Sequence, residues 1–388
     1  MNKKILIQLL FALIRSAISG KKMTDEELCL YSEEHFPRLL KIANKHDVSH
    51  LVILGMKQNG LISNDAFGVE EHLLKAVYRY EQLNFEYLQL CDALERAEIP
   101  FVPLKGSVLR SYYPEPWMRT SCDIDVLVHK TDLEKAVTYL VKTLNYTEKE
   151  RTPHDVSLCG TTGNTIELHY DLVEEGRANN AMKILSSAWD NVYLKENSRF
   201  FYRMTDEFFY FYHIAHMAKH FENGGCGIRP FLDLWILDGL KDTDCEKRDA
   251  LLEKGLLLTF ANTARKLSRV WMECEEPDET CLQMQDFLLQ GGVYGTSNNR
   301  VAIQQTKRGG QLGYILSRVF VPYSKLKGYY PILEKHAWLM PVMQVRRWFM
   351  LATNPTVAKN ARNEIKVNQN IDKSKADEMN RFLKNVGL

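Results

Sequence analysis

The chain lacks most of the short signatures that announce a function. Its 388 residues hold no P-loop, no GxGxxG dinucleotide turn and no internal repeat. The eight cysteines (Cys29, Cys91, Cys122, Cys159, Cys226, Cys245, Cys274 and Cys281) include no CxxC pair. Even Cys274 and Cys281 are too far apart for a zinc knuckle, so buried thiols of a reducing compartment are the reading. Neither sign of charge dominates: 50 Lys plus Arg face 49 Asp plus Glu, which removes any global reason for a nucleic-acid or anionic-membrane partner. No apolar run is long enough to span a bilayer. The N-terminal "MNKKILIQLLFALIRSAISG" is interrupted by Gln8 and Arg15, and no clear small-x-small cleavage site follows. It reads as an amphipathic first helix, and the protein as cytoplasmic.

What is present describes an ordinary folded chain, 45% apolar and 26% charged, long enough for two or three cores. Residues 1–97 read as helical, because apolar residues recur every three or four positions without Gly or Pro in "LLKAVYRYEQLNFEYLQLCDALERAEI". The period then changes. Residues 98–175 read as a small α/β core, with extended "IPFVPLKG", strand "CDIDVLVH", and a helix from "TDLEKAVTYLVKTLNY". Thr131 and Glu134 are expected to form a capping box there, and "DVSLCGTTGNTIELHYDL" is expected to form two strands around a glycine turn. Residues 183–300 read as helical again, 301–350 as a basic, aromatic-rich segment, and 351–388 as a polar tail. The class is α+β, a small mixed sheet embedded in helical regions.

Three features near that sheet point to chemistry. Alternation puts Asp123 and Asp125 on one strand face, with Ile124 and Val126 on the other. Side-by-side carboxylates repel and raise each other's pKa unless a cation intervenes, so Asp125→Asn is expected to hold or raise metal-free stability. In "TIELHYDL", Glu167, His169 and Asp171 share a face, and either Glu167 or Asp171 would supply a third acid, spacing favouring Glu167. Three converging acids call for divalent cations, and hard oxygen ligands suit Mg²⁺. Upstream, "LKGS" sits between strand and helix, where Gly106 lets backbone approach a phosphate and Ser107 follows it. Lys105 and Arg119 flank the acids and either pair with them or hold a triphosphate.

These residues resemble the nucleotidyltransferase superfamily that includes DNA polymerase beta. The shared pattern is Gly106-Ser107, Asp123-Ile124-Asp125, and Glu167 between Ile166 and Leu168. More narrowly, "PLKGSVLRSYYPEPWMRTSCDIDVLV", "IELHYDL", "HIAHMAKH" and "RPFLDLWIL" resemble a bacterial family of uncharacterised nucleotidyltransferases. The 15 residues between Ser107 and Asp123 exceed the usual superfamily spacer, as an insertion before the strand. The resemblance implies Asp123, Asp125 and Glu167 as catalytic ligands of two Mg²⁺ ions, and Gly106 and Ser107 as holders of a nucleoside triphosphate, most simply ATP. It also implies transfer of a nucleoside monophosphate to an acceptor hydroxyl with release of pyrophosphate. The acceptor is open among a small molecule, a sugar, a protein and an RNA end.

Beyond this core, His213, His216 and His220 fall on one helix face. Met217 stands where a zinc-protease motif needs Glu, so they either line a packed face or, as the resemblance implies for His216 and His220, contact nucleotide or acceptor. Arg229 and Asp233 are expected to pair with each other. Residues 300–350 carry nine Lys plus Arg against Glu334 alone. Lys325, Lys327, Arg346 and Arg347 could track phosphates there, with Trp338 or Trp348 as stacking faces. Two other functions fit the same residues: a nucleotide-binding regulator without turnover, and a nucleic-acid-binding module built on that basic segment.

Overall fold

The structure, a computed structural model, describes residues 3–62, 69–173 and 180–388. Its architecture is α+β, with a five-stranded mixed sheet and a two-stranded sheet among helices. The first helix, Lys3–Ser19, is not the surface helix its charges suggest. Leu6, Leu9, Leu10, Phe11, Leu13, Ile14 and Ala17 are buried on several sides of it. The reason is that it is sandwiched. Phe11 stacks on Trp271 of the Leu258–Glu273 helix with ring centroids 4.1 Å apart. On another side the Ser49–Gln58 helix comes so close that a Cβ on Gly55 would lie 2.2 Å from the Leu13 carbonyl oxygen.

The central sheet contains β1 (Phe101–Pro103), β2 (Asp123–Val128), β3 (Thr147–Arg151), β4 (Asp155–Cys159) and β5 (Thr165–His169) in the order β1-β2-β5-β4-β3. Only the β2–β5 pairing is parallel. Alternation in β2 turns Ile124, Val126 and Val128 to the back, where they join Ile166 and Leu168 of β5 and Val156 and Leu158 of β4. Two helices close that face: the long Val69–Arg96, through Leu83, Leu90 and Leu94, and Leu133–Leu144, through Ala136 and Leu140. Burial at roughly 25 cal/mol per Å² makes this apolar layer the base that fixes the register of the front face.

Three local expectations change. The Leu133–Leu144 helix has Asp132 at its N-cap without a side-chain cap, because Glu134 is drawn to the Arg151 guanidinium across β3 (Nη2–Oε2 3.2 Å). Strand β3 pairs at the sheet edge with every residue exposed, so it shows no apolar alternation. Two short strands, β6 (Val192–Leu194) and β7 (Tyr202–Met204), interrupt the stretch read as helical. Next to β7, Phe200 accepts a hydrogen bond from the Phe101 N–H at 2.9 Å, which covers the free edge of β1. Most other helices gather around one large core that draws on residues as distant as Leu6 and Val386. Two smaller clusters, around Tyr314 and around Leu326 and Leu333, hold the helices between residues 310 and 370.

Candidate active site

The front face of β2 and β5 carries the acids. Parallel register sets Asp125 opposite Glu167 and Asp123 opposite Thr165, so all three acids lie on one patch of the same face. Asp171 lies two residues beyond β5, exposed, where its Oδ1 accepts the Val173 N–H at 2.8 Å.

Asp125 is the buried member, 2% exposed, and its Oδ1 takes two partners: the Lys105 ammonium (Nζ at 2.8 Å) and the His169 ring (Nε2 at 2.9 Å). Burial alone would raise its pKa, but Lys105 and His169 outweigh that and hold the carboxyl well below the usual carboxylate range. Burial would lower the His169 imidazole, yet its hydrogen bonds to Asp125 and Glu167 raise it. Asp123 goes the other way. Its pKa is raised, first by burial and then by the Asp125 charge, with Lys105 offsetting only part. Among the described residues no ion pair or hydrogen bond reaches the Asp123 carboxylate. Asp125, Glu167 and His169 each bring one ligand atom into a group within 4.8 Å of one another. A half-buried, acid-rich pocket with one carboxylate lacking a partner suits a hard divalent cation.

The turn before the strand is locked to it. Leu104 N–H donates to the Asp125 carbonyl at 2.9 Å, and Lys105 then adopts φ +42°, a left-handed backbone uncommon for a residue with a Cβ. Gly106 follows where a Cβ would lie 3.0 Å from Ser121 Cβ and 3.3 Å from Arg119 Nη1. The helix that begins here, Lys105–Leu109, has only five residues and so little macrodipole. Its resource is instead Ser107, whose Oγ is buried without a hydrogen-bond partner.

The arginines beside the site are engaged in buried contacts of their own. Arg119 does not face Asp123. It grips the fully buried Asp233 with two N–H groups (Nε–Oδ1 3.0 Å, Nη2–Oδ2 2.8 Å), and Tyr113 donates to the same Oδ1 at 2.8 Å. The expected Arg229–Asp233 pair is therefore absent, because Arg119 already occupies both carboxylate oxygens. Arg229 instead bonds the Thr120 carbonyl at 2.6 Å and Asp47 Oδ2 at 3.1 Å. Arg110, unnoticed in the sequence, ties Gly106 to Ser121 through its Nε (2.9 Å to the Gly106 carbonyl) and Nη2 (2.7 Å to Ser121 Oγ).

The histidines divide. His213 is buried against the Pro230 carbonyl at 2.9 Å, a packing contact. His216 lines a small cavity of about 50 Å³ together with Lys105, His169 and Tyr212, while its Nε2 lies 3.2 Å from that of His220. Burial, then the neighbouring Lys105, push the His216 pKa well down and keep the ring neutral. His169, on the same strand face as Glu167, is the site residue whose partnership with Asp125 no local motif marks.

An acid–apolar–acid strand paired in parallel with a strand bearing a third acid, and a Gly-Ser turn pinned to it, define a nucleotidyltransferase-type core. The chain belongs to the family described as uncharacterised nucleotidyltransferase, which matches residues 32–273. Nucleotidyl transfer is thereby its general class of chemistry. No curated protein and no solved structure matches the chain. No helix among the described residues is long and apolar enough to cross a membrane.

Proposed function

We propose that the protein moves a nucleoside monophosphate from a nucleoside triphosphate, most simply ATP, to an acceptor hydroxyl, with Asp123, Asp125 and Glu167 as its catalytic acids. The observation that carries this is the register of β2 against β5, which sets Asp125 directly opposite Glu167 with Asp123 two residues along the same face. Two groups without partners support it: the Asp123 carboxylate and the Ser107 hydroxyl. Buried or half-buried polar groups of this kind are normally satisfied, here by metal and phosphate.

Asp123, Asp125 and Glu167 would hold two Mg²⁺ ions, which supply charge neutralisation on the triphosphate and acidify the acceptor hydroxyl. The chain's own residues do the rest. Ser107 donates to a non-bridging phosphate oxygen, and the tight Gly106 turn lets the backbone come near it. Lys105, which contacts Asp125 at 2.8 Å, would be the cation available to the triphosphate. Glu167 takes the proton of the acceptor hydroxyl as the acceptor oxygen forms a bond to the α-phosphorus. The α–β bridging P–O bond breaks, and pyrophosphate leaves with the electron pair. His216 and His220, neighbours of Lys105 or of each other, line the way to the acceptor or the base.

The test is the thermal midpoint of wild type and of Asp123→Asn/Asp125→Asn against each of the four ribonucleoside triphosphates, with and without Mg²⁺. A Mg²⁺-dependent rise confined to wild type is expected, growing with ligand as mass action requires. No rise with any triphosphate defeats the reading. A rise without pyrophosphate release over a panel of acceptors would favour a nucleotide-binding regulator.

A further inference from the structure

A second surface, remote in sequence from the acids, has a composition the catalytic reading does not use. Between residues 300 and 370 twelve Lys and Arg stand against two acids, Glu334 and Glu364, although the whole chain carries a net charge of only +1. The rest of the molecule is therefore net acidic, and the charge is segregated. Of the two acids, Glu364 is already taken by Arg318 at 2.5 Å and by the Tyr314 hydroxyl.

The same region exposes large apolar side chains in ordered rows. On the Gly310–Val319 helix Leu312, Leu316 and Val319 form one outward stripe, while Tyr314 faces in. On the Met340–Thr353 helix Val342, Val345 and Phe349 form another, while Met343 and Gln344 face in. The two stripes adjoin. Trp348 Nε1 donates to the Val319 carbonyl at 2.8 Å, and the Trp348 ring meets Phe320 edge-on at 5.6 Å. Trp338, 74% exposed, and Ile332 are further large apolar side chains open to solvent in the segment between the two helices. Where the Met340–Thr353 helix turns into Pro355–Asn370, an open groove of about 400 Å³ is lined by Lys359, Arg362 and Lys366, with no acid among its walls.

We propose that this face docks on an anionic phospholipid surface, its apolar stripes entering the interfacial zone and its basic groove taking lipid phosphates. Exposed apolar rows rimmed by Lys and Arg, with Trp at the margin, are what a helix lying in a membrane interface presents. Charge complementarity selects this occupant. A second copy of the chain would bring an equally basic face and be repelled, whereas an anionic bilayer attracts it. Nucleic acid would use the cations but leave the aliphatic stripes of Leu312, Leu316, Val342 and Val345 without a partner, since bases stack on aromatic rings rather than on branched aliphatics.

The experiment is flotation of the full chain with vesicles of phosphatidylcholine alone and of phosphatidylcholine containing one-third phosphatidylglycerol. The chain is expected to float with the anionic vesicles only. Leu316→Glu/Phe349→Glu should reduce the bound fraction about tenfold. Lys359→Gln/Arg362→Gln/Lys366→Gln should reduce it too and weaken its dependence on salt. All these side chains are exposed, so the melting temperature and any Mg²⁺–triphosphate response should not change, and the outcome is independent of the catalytic reading. Absence of flotation, or equal flotation with both vesicles, overturns the proposal. So does a dimer that Leu316→Glu/Phe349→Glu dissolves without any vesicle binding, or RNA binding that survives that variant in a chain that does not float.

Discussion

Lys105 Nζ and Asp125 Oδ1 are 2.8 Å apart, and the lysine reaches that position from a backbone at φ +42°. A left-handed residue costs the fold about 1 kcal/mol or more, so the turn is held by what surrounds it: the Leu104–Asp125 backbone bond and the crowded Gly106. The ammonium thus stands beside the carboxylate to which the catalytic reading assigns a metal. Lys105→Met should lower metal-free stability by about 2–3 kcal/mol, less than the ~3–5 of a fully orphaned buried charge because His169 remains. Urea denaturation measures the first effect. The thermal response to Mg²⁺ with triphosphate should be lost as well.

The two aspartates should behave oppositely when neutralised. Asp125 anchors Lys105 and His169, so Asp125→Asn leaves a half-buried ammonium and an imidazole without their carboxylate and should lower the metal-free melting temperature. This reverses the expectation from repulsion alone. Asp123 has no such partner and its pKa is already raised, so Asp123→Asn should hold or raise the melting temperature. Differential scanning fluorimetry in a chelator compares them directly, and equal destabilisation by both would contradict the geometry.

Arg119 separates support from ligand binding. Its fork on Asp233 is bidentate, and Lys cannot reproduce that. Arg119→Lys should lower stability while leaving the size of the triphosphate-induced thermal shift as in wild type. A loss of the shift at unchanged stability would make Arg119 a triphosphate ligand instead.

Acid sensitivity should come in part from His46, which is fully buried with neither ring nitrogen hydrogen-bonded. Burial, then Lys45, push its pKa down to about 4. A group depressed in the fold contributes stability that is present above its unfolded value and lost as pH falls. The loss therefore runs from about 6.5, where an unfolded imidazole takes up its proton, down to about 4. The full effect is on the order of 3 kcal/mol. His46→Phe should flatten the dependence of unfolding free energy on pH in that window, measured by urea melts at pH 7.5 to about 4.5.

The parts of the fold that were legible in the sequence are those whose burial follows a simple period. Strand β2 shows its two faces in "DIDVLV", and the β4–β5 hairpin does so around its glycine turn. Strand β3 was not legible, because "TEKER" lies wholly exposed on an edge and has no apolar half to alternate. The first helix misled for the opposite reason: Gln8 and Arg15 suggest a wet side, but Arg15 reaches out to the Trp271 carbonyl at 3.1 Å while neighbours cover the rest. In the candidate site, parity alone put Asp123 with Asp125 and Glu167 with His169, while the parallel register that sets the two pairs on one face is a tertiary fact. The Lys105–Asp125 contact depends on a single unusual backbone angle. The Arg119–Asp233 fork joins residues 114 positions apart, and no local spacing encodes such a pair.

The largest apolar core joins Leu6 near the start of the chain to Leu383 and Val386 near residue 388, and Phe382 rests against Phe287 at 4.8 Å. A ribosome extending the chain at roughly 5–20 residues per second needs about 20 to 75 s to travel from one to the other. For that interval the leucine-rich first helix exists without its last neighbours. Production in cells should therefore lean on chaperones that hold nascent chains, and a truncation before Leu383 should accumulate as insoluble protein rather than as a shorter soluble enzyme.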